Sequence, residues 1–267
     1  MNTKKITFET PSIENKTIEE LSLKLLELNE QLVKEQKERS EMLSNISHDL
    51  RAPLTAIRSA IDLLRSGQNL SREDYDFSLN LIDRRTKTLE SLIGDMYYLF
   101  CVEDTSKELD LTQVEALPFL EEYYLDCEAD SRYSSKKLCF DVPDELNCLI
   151  NIDIQKMIRV LDNLMTNACK YSKEGASITI HAEFSASDML DISIIDTGIG
   201  IPKESIPHIF NRTYTVSSAR TPESASGSGL GLSIVKAIIE RMNGAVSCQS
   251  TEGIGSTFTI SLPALQK

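Results

Sequence analysis

The residues of this sequence best suited to chemistry are a histidine, two asparagines, an aspartate and a set of glycines. His48 lies in Ser47-His48-Asp49-Leu50-Arg51-Ala52-Pro53-Leu54-Thr55. A stripe through Ile46, Leu50 and Ile57 gives the helix an apolar face, and His48 falls on the other side. Asp49 can accept a proton and make the imidazole nitrogen a better nucleophile. Pro53 interrupts a strongly helical pattern at a cost of ~3 kcal/mol and frees the carbonyl of Asp49. An isolated exposed helical histidine is ordinarily a surface residue. Here a local rule is broken beside it, which favours a nucleophile.

A second group is Asn163, Asn167 and Lys170, followed by Tyr171. The i, i+4, i+7 spacing puts the first three on one helix face, opposite an apolar stripe. That face is either simply solvated or a ligand site. A carboxamide oxygen can coordinate Mg²⁺, and lysine brings charge to phosphate oxygens. Asp196-Thr197-Gly198-Ile199-Gly200 ends an apolar run. Its aspartate can accept from an exocyclic amine, and its glycines let a ligand approach the backbone. Gly227-Ser228-Gly229-Leu230-Gly231 opens a helix and offers backbone N–H groups to phosphate. It resembles a dinucleotide fingerprint only superficially, because no strand precedes it.

The elements that must hold these groups are legible in outline. Residues 1–16 read as a polar tail. Leu21, Leu25, Leu28 and Leu32 then recur with alternating spacing, a coiled-coil seam over residues 17–42 that continues less well through Glu35, Arg39, Met42 and Ile46. Residues 43–103 read as a helical hairpin. Its first helix runs to about Arg65 with Ile61 and Leu64 on the apolar side. Ser71 with Asp74 resembles a capping box, and the second helix reaches about Val102 with Leu79, Ile82, Leu89, Ile93, Met96 and Leu99 buried. Two such helices give half a core, which a second copy completes as a four-helix bundle. Residues 104–111 read as a linker. Residues 112–267 read as an α+β sandwich: a mostly antiparallel sheet covered on one face by helices. Within it the pattern predicts helices over Thr112–Asp130, from the cap Asp153 to about Tyr171, and over Leu230–Met242, where Gly244 ends the helix. Strands are predicted at Leu138–Val142, Leu149–Ile152, Ser177–Phe184, around Leu190–Ile194, and at Ala245–Ser250 and Ser256–Leu262.

Composition narrows the function classes. The net charge of −13 supplies no basic footprint for nucleic acid and argues against docking on an anionic membrane surface. No apolar run approaches the ~20 residues a membrane helix needs, and Met1 to Pro11 carries no secretory pattern. The six cysteines form no CxxC pair or metal spacing, which suits a reducing, cytoplasmic compartment.

Taken in order, these segments resemble the histidine kinases of two-component signalling over roughly residues 40–265. Ser47–Thr55 is similar to the H-box, Asn163–Ser172 to the N-box, Asp196–Gly200 and Gly227–Gly231 to the glycine boxes, and His208-Ile209-Phe210-Asn211-Arg212 to the F-box. The resemblance implies a homodimer that moves phosphate from ATP·Mg²⁺ to His48, then to an aspartate of a response regulator receiver domain. It implies Asp49 as general base and Asn167 as Mg²⁺ ligand, with Asn163, Lys170 and Tyr171 lining the nucleotide site. Asp196 is implied at the adenine amine, Gly198 and Gly200 at the pocket floor, and Thr257 near the adenine. Gly227, Gly229, Leu230 and Gly231 are implied at a lid over the phosphates. Many relatives are membrane-bound, so the chain also reads as the cytosolic part of such a kinase. Two positions depart from the family pattern: Ala52 replaces a polar residue that serves phosphatase activity, and Thr213 replaces a second F-box aromatic. An ATPase of the gyrase, Hsp90 and MutL type is the rival enzyme, and a phosphate-inert scaffold the rival non-enzyme. The H-box argues against the first, and intact Asn167, Asp196 and glycines against the second.

Overall fold

The structure is a computed structural model, and it describes residues 12–66, 70–104, 106, 108–185, 188–216 and 229–266. The chain separates into two units, Met1–His48 and Asp49–Lys267. Helix α1 (Ser12–Arg65) runs from the first into the second, so helix begins before the expected Thr17. In the first unit the seam residues Leu21, Leu25, Leu28 and Leu32 are all exposed.

The second unit begins with the rest of α1, which contains Pro53, and with α2 (Arg72–Glu103). Ser71 caps α2: its hydroxyl accepts from the Asp74 N–H at 3.1 Å and donates to the Asp74 carboxylate at 2.6 Å. The expected stripe of α2 is only partly covered. Leu99 and Val102 are buried, whereas Leu79 and Ile93 are exposed, as is Ile61 on α1. Among the described residues nothing covers those side chains fully.

The sandwich follows. Its strands are β1 (Thr112–Glu115), β2 (Lys137–Asp141), β3 (Cys148–Ile152), β4 (Ser177–Ser185), β5 (Met189–Asp196), β6 (Ala245–Thr251) and β7 (Gly255–Gln266). They form one sheet in the order β1-β3-β7-β5-β4-β2, with β6 also paired to β7. Every pairing is antiparallel except β2 with β4. Helices α3 (Ala116–Ala129), α4 (Ile154–Tyr171) and α5 (Gly231–Arg241) supply the apolar stripes. Period two on β4 buries Ile178, Ile180 and Ala182; period 3.6 on α4 buries Met157, Val160, Leu161, Leu164, Met165 and Ala168.

Two expectations are corrected. Thr112–Glu115 is a strand, not the start of a helix; it pairs with β3 in the register Thr112↔Ile152 to Glu115↔Leu149. Pro118 explains the boundary, because proline is tolerated only in a helix's first turn, and α3 begins two residues before it. At the end of α5 the left-handed residue is Asn243 (φ 58°), not Gly244. Gly244 serves closeness instead: a Cβ there would meet the Ser261 carbonyl oxygen at 2.5 Å.

The end of α2 is fastened to the sandwich by three arginines. Arg159 of α4 pairs with Asp95 at 2.7 Å and lies 4.1 Å over the Tyr98 ring. Arg241 of α5 donates to the Val102 carbonyl at 2.8 Å, and Arg212 pairs with Glu103 at 2.6 Å.

Helix α4 depends on its cap. Asp153 is buried, accepts from the N–H groups of Lys156 and Asp110 at 3.2 and 3.3 Å, and pairs with the Lys156 ammonium. Burial alone pushes its carboxyl up, but these donors outweigh it and hold the carboxyl below the ordinary value. We expect Asp153→Ala to cost about 1–3 kcal/mol near neutral pH. A depressed carboxyl contributes above its unfolded pKa and loses that contribution as pH falls through the folded one. Urea unfolding should therefore show the gap between wild type and variant narrowing on acidification below the ordinary carboxylate range.

Candidate functional site

The polar face of α4 forms one wall of a cleft of about 600 Å³. Asn163, Asn167, Lys170 and Tyr171 all line it, as the helical spacing requires once the apolar stripe is buried. Asn163 is oriented by donating its amide to the Arg159 carbonyl at 2.8 Å. Its oxygen is thereby turned toward α5, where a Cβ on Gly231 would lie 2.8 Å away. A glycine at the start of α5 is thus what lets that helix approach the asparagine.

Asp196 closes another side of the cleft from the end of β5 and is buried. Burial pushes its carboxyl up; N–H donors from Gly198, at 2.8 Å, and Ser256 only partly offset this. Gly198 itself sits behind the cleft wall. A Cβ there would meet the Tyr171 carbonyl oxygen at 2.5 Å and the Asp196 carboxylate at 2.6 Å. The Ile199 N–H also bonds the Tyr171 carbonyl at 3.0 Å, so the aspartate loop is fixed to the end of α4. Gly200 lines the cleft with φ 67°, where a side chain would run into the backbone of Thr251.

Gly229 and Gly231 line the cleft and Leu230 is buried beside them, while Gly227 lies outside the described residues. Gly229 (φ 63°) packs on Thr213, with its would-be Cβ 2.8 Å from the Thr213 carbonyl carbon, so the two ends of the Thr213–Gly229 segment meet. Thr213 takes a left-handed backbone (φ 59°), and Tyr214 is the residue that lines the cleft, its ring 5.7 Å from that of His208. An aromatic side chain thus lines the cleft one position after Thr213. Phe210 packs edge-on against Phe258 at 6.4 Å.

Thr257 is not on the cleft wall. The alternation of β7 puts Ser256 and Phe258 there, and Thr257 falls on the other face of the strand. The parity of buried Phe258, Ile260 and Leu262 was a readable signal for this. Ser91, Asp95 and Arg159 also line the cleft without any motif to mark them. On α1, His48 is exposed and Asp49 half-buried. Among the described residues no group of three or more His, Cys, Asp and Glu side chains is arranged to hold a metal ion.

Residues 38–104 match the His Kinase A (phospho-acceptor) domain, and residues 152–266 match the Histidine kinase-, DNA gyrase B-, and HSP90-like ATPase domain. The chain belongs to the sensor histidine kinases of two-component systems. It is 30% identical over 260 residues to the sensor histidine kinase WalK of Bacillus subtilis, covering 97% of this chain and 42% of that protein. It is 35% identical over 231 residues to the sensor protein kinase WalK of Staphylococcus saprophyticus, covering 85% of this chain and 37% of that one. The chain thus spans about two-fifths of the curated relatives it matches. Its fold is also that of the Acinetobacter baumannii histidine kinase AdeS (TM-score 0.60, 23% identity, 81% of this chain and 97% of that one). The same holds for the histidine kinase ThkA, solved in complex with the response regulator protein TrrA (TM-score 0.65, 24% identity, 87% and 66%). A phospho-acceptor domain beside the ATPase-type domain sets this histidine kinase chain apart from the gyrase-like rival. Among the described residues no helix is long and apolar enough to cross a membrane.

The crowding around Gly198 sets an expectation for stability. Gly198→Ala should cost about 1–3 kcal/mol, because the two nearest atoms it strikes, the Tyr171 carbonyl oxygen and the Asp196 carboxylate, are anchored. Gly94 in α2 has open space around its would-be Cβ, so Gly94→Ala should instead stabilise by about 0.5–1 kcal/mol through helix propensity. Thermal unfolding of both variants checks the pair.

Proposed function

We propose that this chain is the kinase core of a sensor histidine kinase, using ATP to phosphorylate His48 and passing the phosphoryl group to an aspartate on a response regulator. One observation carries this reading: Asn163, Asn167, Asp196 and the glycines at 200, 229 and 231 converge on one cleft, in a chain that also presents an exposed His48 beside Pro53. A nitrogen of the His48 imidazole attacks the terminal phosphorus, the bond to the ADP oxygen breaks, and the ring proton passes to Asp49. Asp196 accepts from the adenine amine, with Ser256 beside it. Lys170 lines the nucleotide site, and the N–H groups at the start of α5, beside Asn163, face the phosphates. The donor set fits Mg²⁺, which keeps waters and phosphate oxygens and asks the protein for few ligands. Asn167 would hold it with its carboxamide oxygen. Bound there, the ion would supply charge neutralisation at the phosphates.

In this reading residues 17–42 are the signalling coil, 43–103 the dimerising hairpin, 104–111 the hinge and 112–267 the ATP-binding domain. Exposed Leu25, Leu32, Leu79 and Ile93 support a homodimer, and six free cysteines support a cytoplasmic setting. The exposed Ala52 cannot hydrogen-bond a water, which favours kinase over phosphatase activity.

The test is labelled ATP. Wild type should gain acid-labile, base-stable label; His48→Ala should gain none while still binding nucleotide, and Asn167→Ala should lose Mg²⁺-dependent binding. Acid-labile label on His48→Ala rejects the assignment. A monomer in sedimentation at micromolar concentration rejects the dimer. Because burial raises the Asp196 carboxyl, protonation should begin above the usual carboxylate range, and nucleotide affinity should fall as pH drops through that raised value. Nucleotide titrations across pH, with an unchanged affinity on acidification as the contrary result, check the sign.

A further inference from the structure

Helix α4 is a ruler along the cleft. Its C-terminal residue Tyr171 touches the Asp196 loop through the Ile199 and Gly198 contacts, whereas Asn167, Asn163 and Arg159 lie successively farther away. At 1.5 Å per residue, Arg159 lies about 18 Å along the axis from Tyr171. A nucleotide anchored by its base at Asp196 extends its phosphates past Asn167 and Asn163 toward that turn.

Arg159 is the cleft cation at the far end, and it is already engaged. Asp95 holds its Nη2 at 2.7 Å, and Tyr98 lies under its plane. Its Nε is buried with no hydrogen-bond partner among the described residues. Asp95 and Ser91 project from α2 into the same cleft wall, so a carboxylate sits where anionic phosphate must approach. A guanidinium matches carboxylate and phosphate oxygens with the same planar fork. One fork cannot serve both fully, so the two partners compete.

We propose that Arg159 reads the terminal phosphates of the nucleotide, and that Asp95 with Tyr98 occupies it until they arrive. This rests on the nucleotide reading of the cleft above. Phosphate capture then loosens one of the three arginine fastenings of α2, beside those at Val102 and Glu103. By reciprocity, whatever strengthens the docking of α2 weakens ATP, and ATP weakens the docking.

The test uses the full chain, with a fluorescent ATP analogue displaced by ATP or AMP in the presence of Mg²⁺. Asp95→Asn should raise the preference for ATP over AMP about tenfold, and Arg159→Gln should lower it about tenfold. The double variant should match Arg159→Gln, because Asp95 acts through the arginine. AMP displacement in each variant doubles as a check of folding. Hydrogen exchange of residues 95–103 should quicken in wild type with ATP and not with AMP. Unchanged preferences, or a gain from Asp95→Asn that survives in the Arg159→Gln background, overturns the proposal while leaving the cleft assignment standing. A folded wild type that binds neither nucleotide overturns both.

Discussion

A single helix has to satisfy two masters here. One face of α4 is wholly apolar and buried against the sheet and its neighbouring helices. Its opposite face must then be polar and open, and everything the cleft offers is arranged around that face. The cap at Asp153 fixes where the helix starts, and the contacts of Tyr171 with Ile199 fix where it ends. With both ends held, the asparagines have little freedom of position. Burial of the apolar stripe is the driving force, at roughly 1.5–3 kcal/mol for each large side chain, so the orientation of the polar face comes as a geometric by-product of core formation.

Asp196 illustrates the opposite economy. A buried carboxylate is costly, and only two backbone donors offset its burial. Glycines make that arrangement possible, since any side chain at Gly198 strikes the carboxylate and any at Gly255 strikes the Asp196 carbonyl. The site is therefore bought with backbone conformations that few residues adopt and a charge that folding alone does not favour. Such local costs are what make the motif readable in sequence.

What was legible followed from period and local cost. The stripe of α4, the alternation of β4 and β5, the cap at Asp153 and the glycine clusters each leave a mark within a few residues. What escaped was set by partners distant in sequence. Thr112–Glu115 becomes a strand because β3 offers an edge, and its own residues do not say so. Thr257 stands one residue from the wall positions Ser256 and Phe258, because the parity of β7 is decided by which face the sheet buries. Asp95 carries no motif at all; its place in the cleft depends on how α2 packs on α5. Asn243 replaces Gly244 as the left-handed residue because the glycine is needed for a close approach to β7.

The meeting of Thr213 with Gly229 also bears on how such a protein can change over time. Once the ends of a segment are pinned together by the folded body, the entropy of closing it grows only with the logarithm of its length. Doubling the number of residues between the pins adds only about 0.6 kcal/mol. Insertions and deletions there are therefore nearly neutral for the stability of the sandwich, whereas a substitution at either pin is not. Changes of length between residues 216 and 229 can therefore accumulate at little energetic cost, while Tyr214, Thr215 and Val216, which line the cleft, and the pins themselves stay constrained.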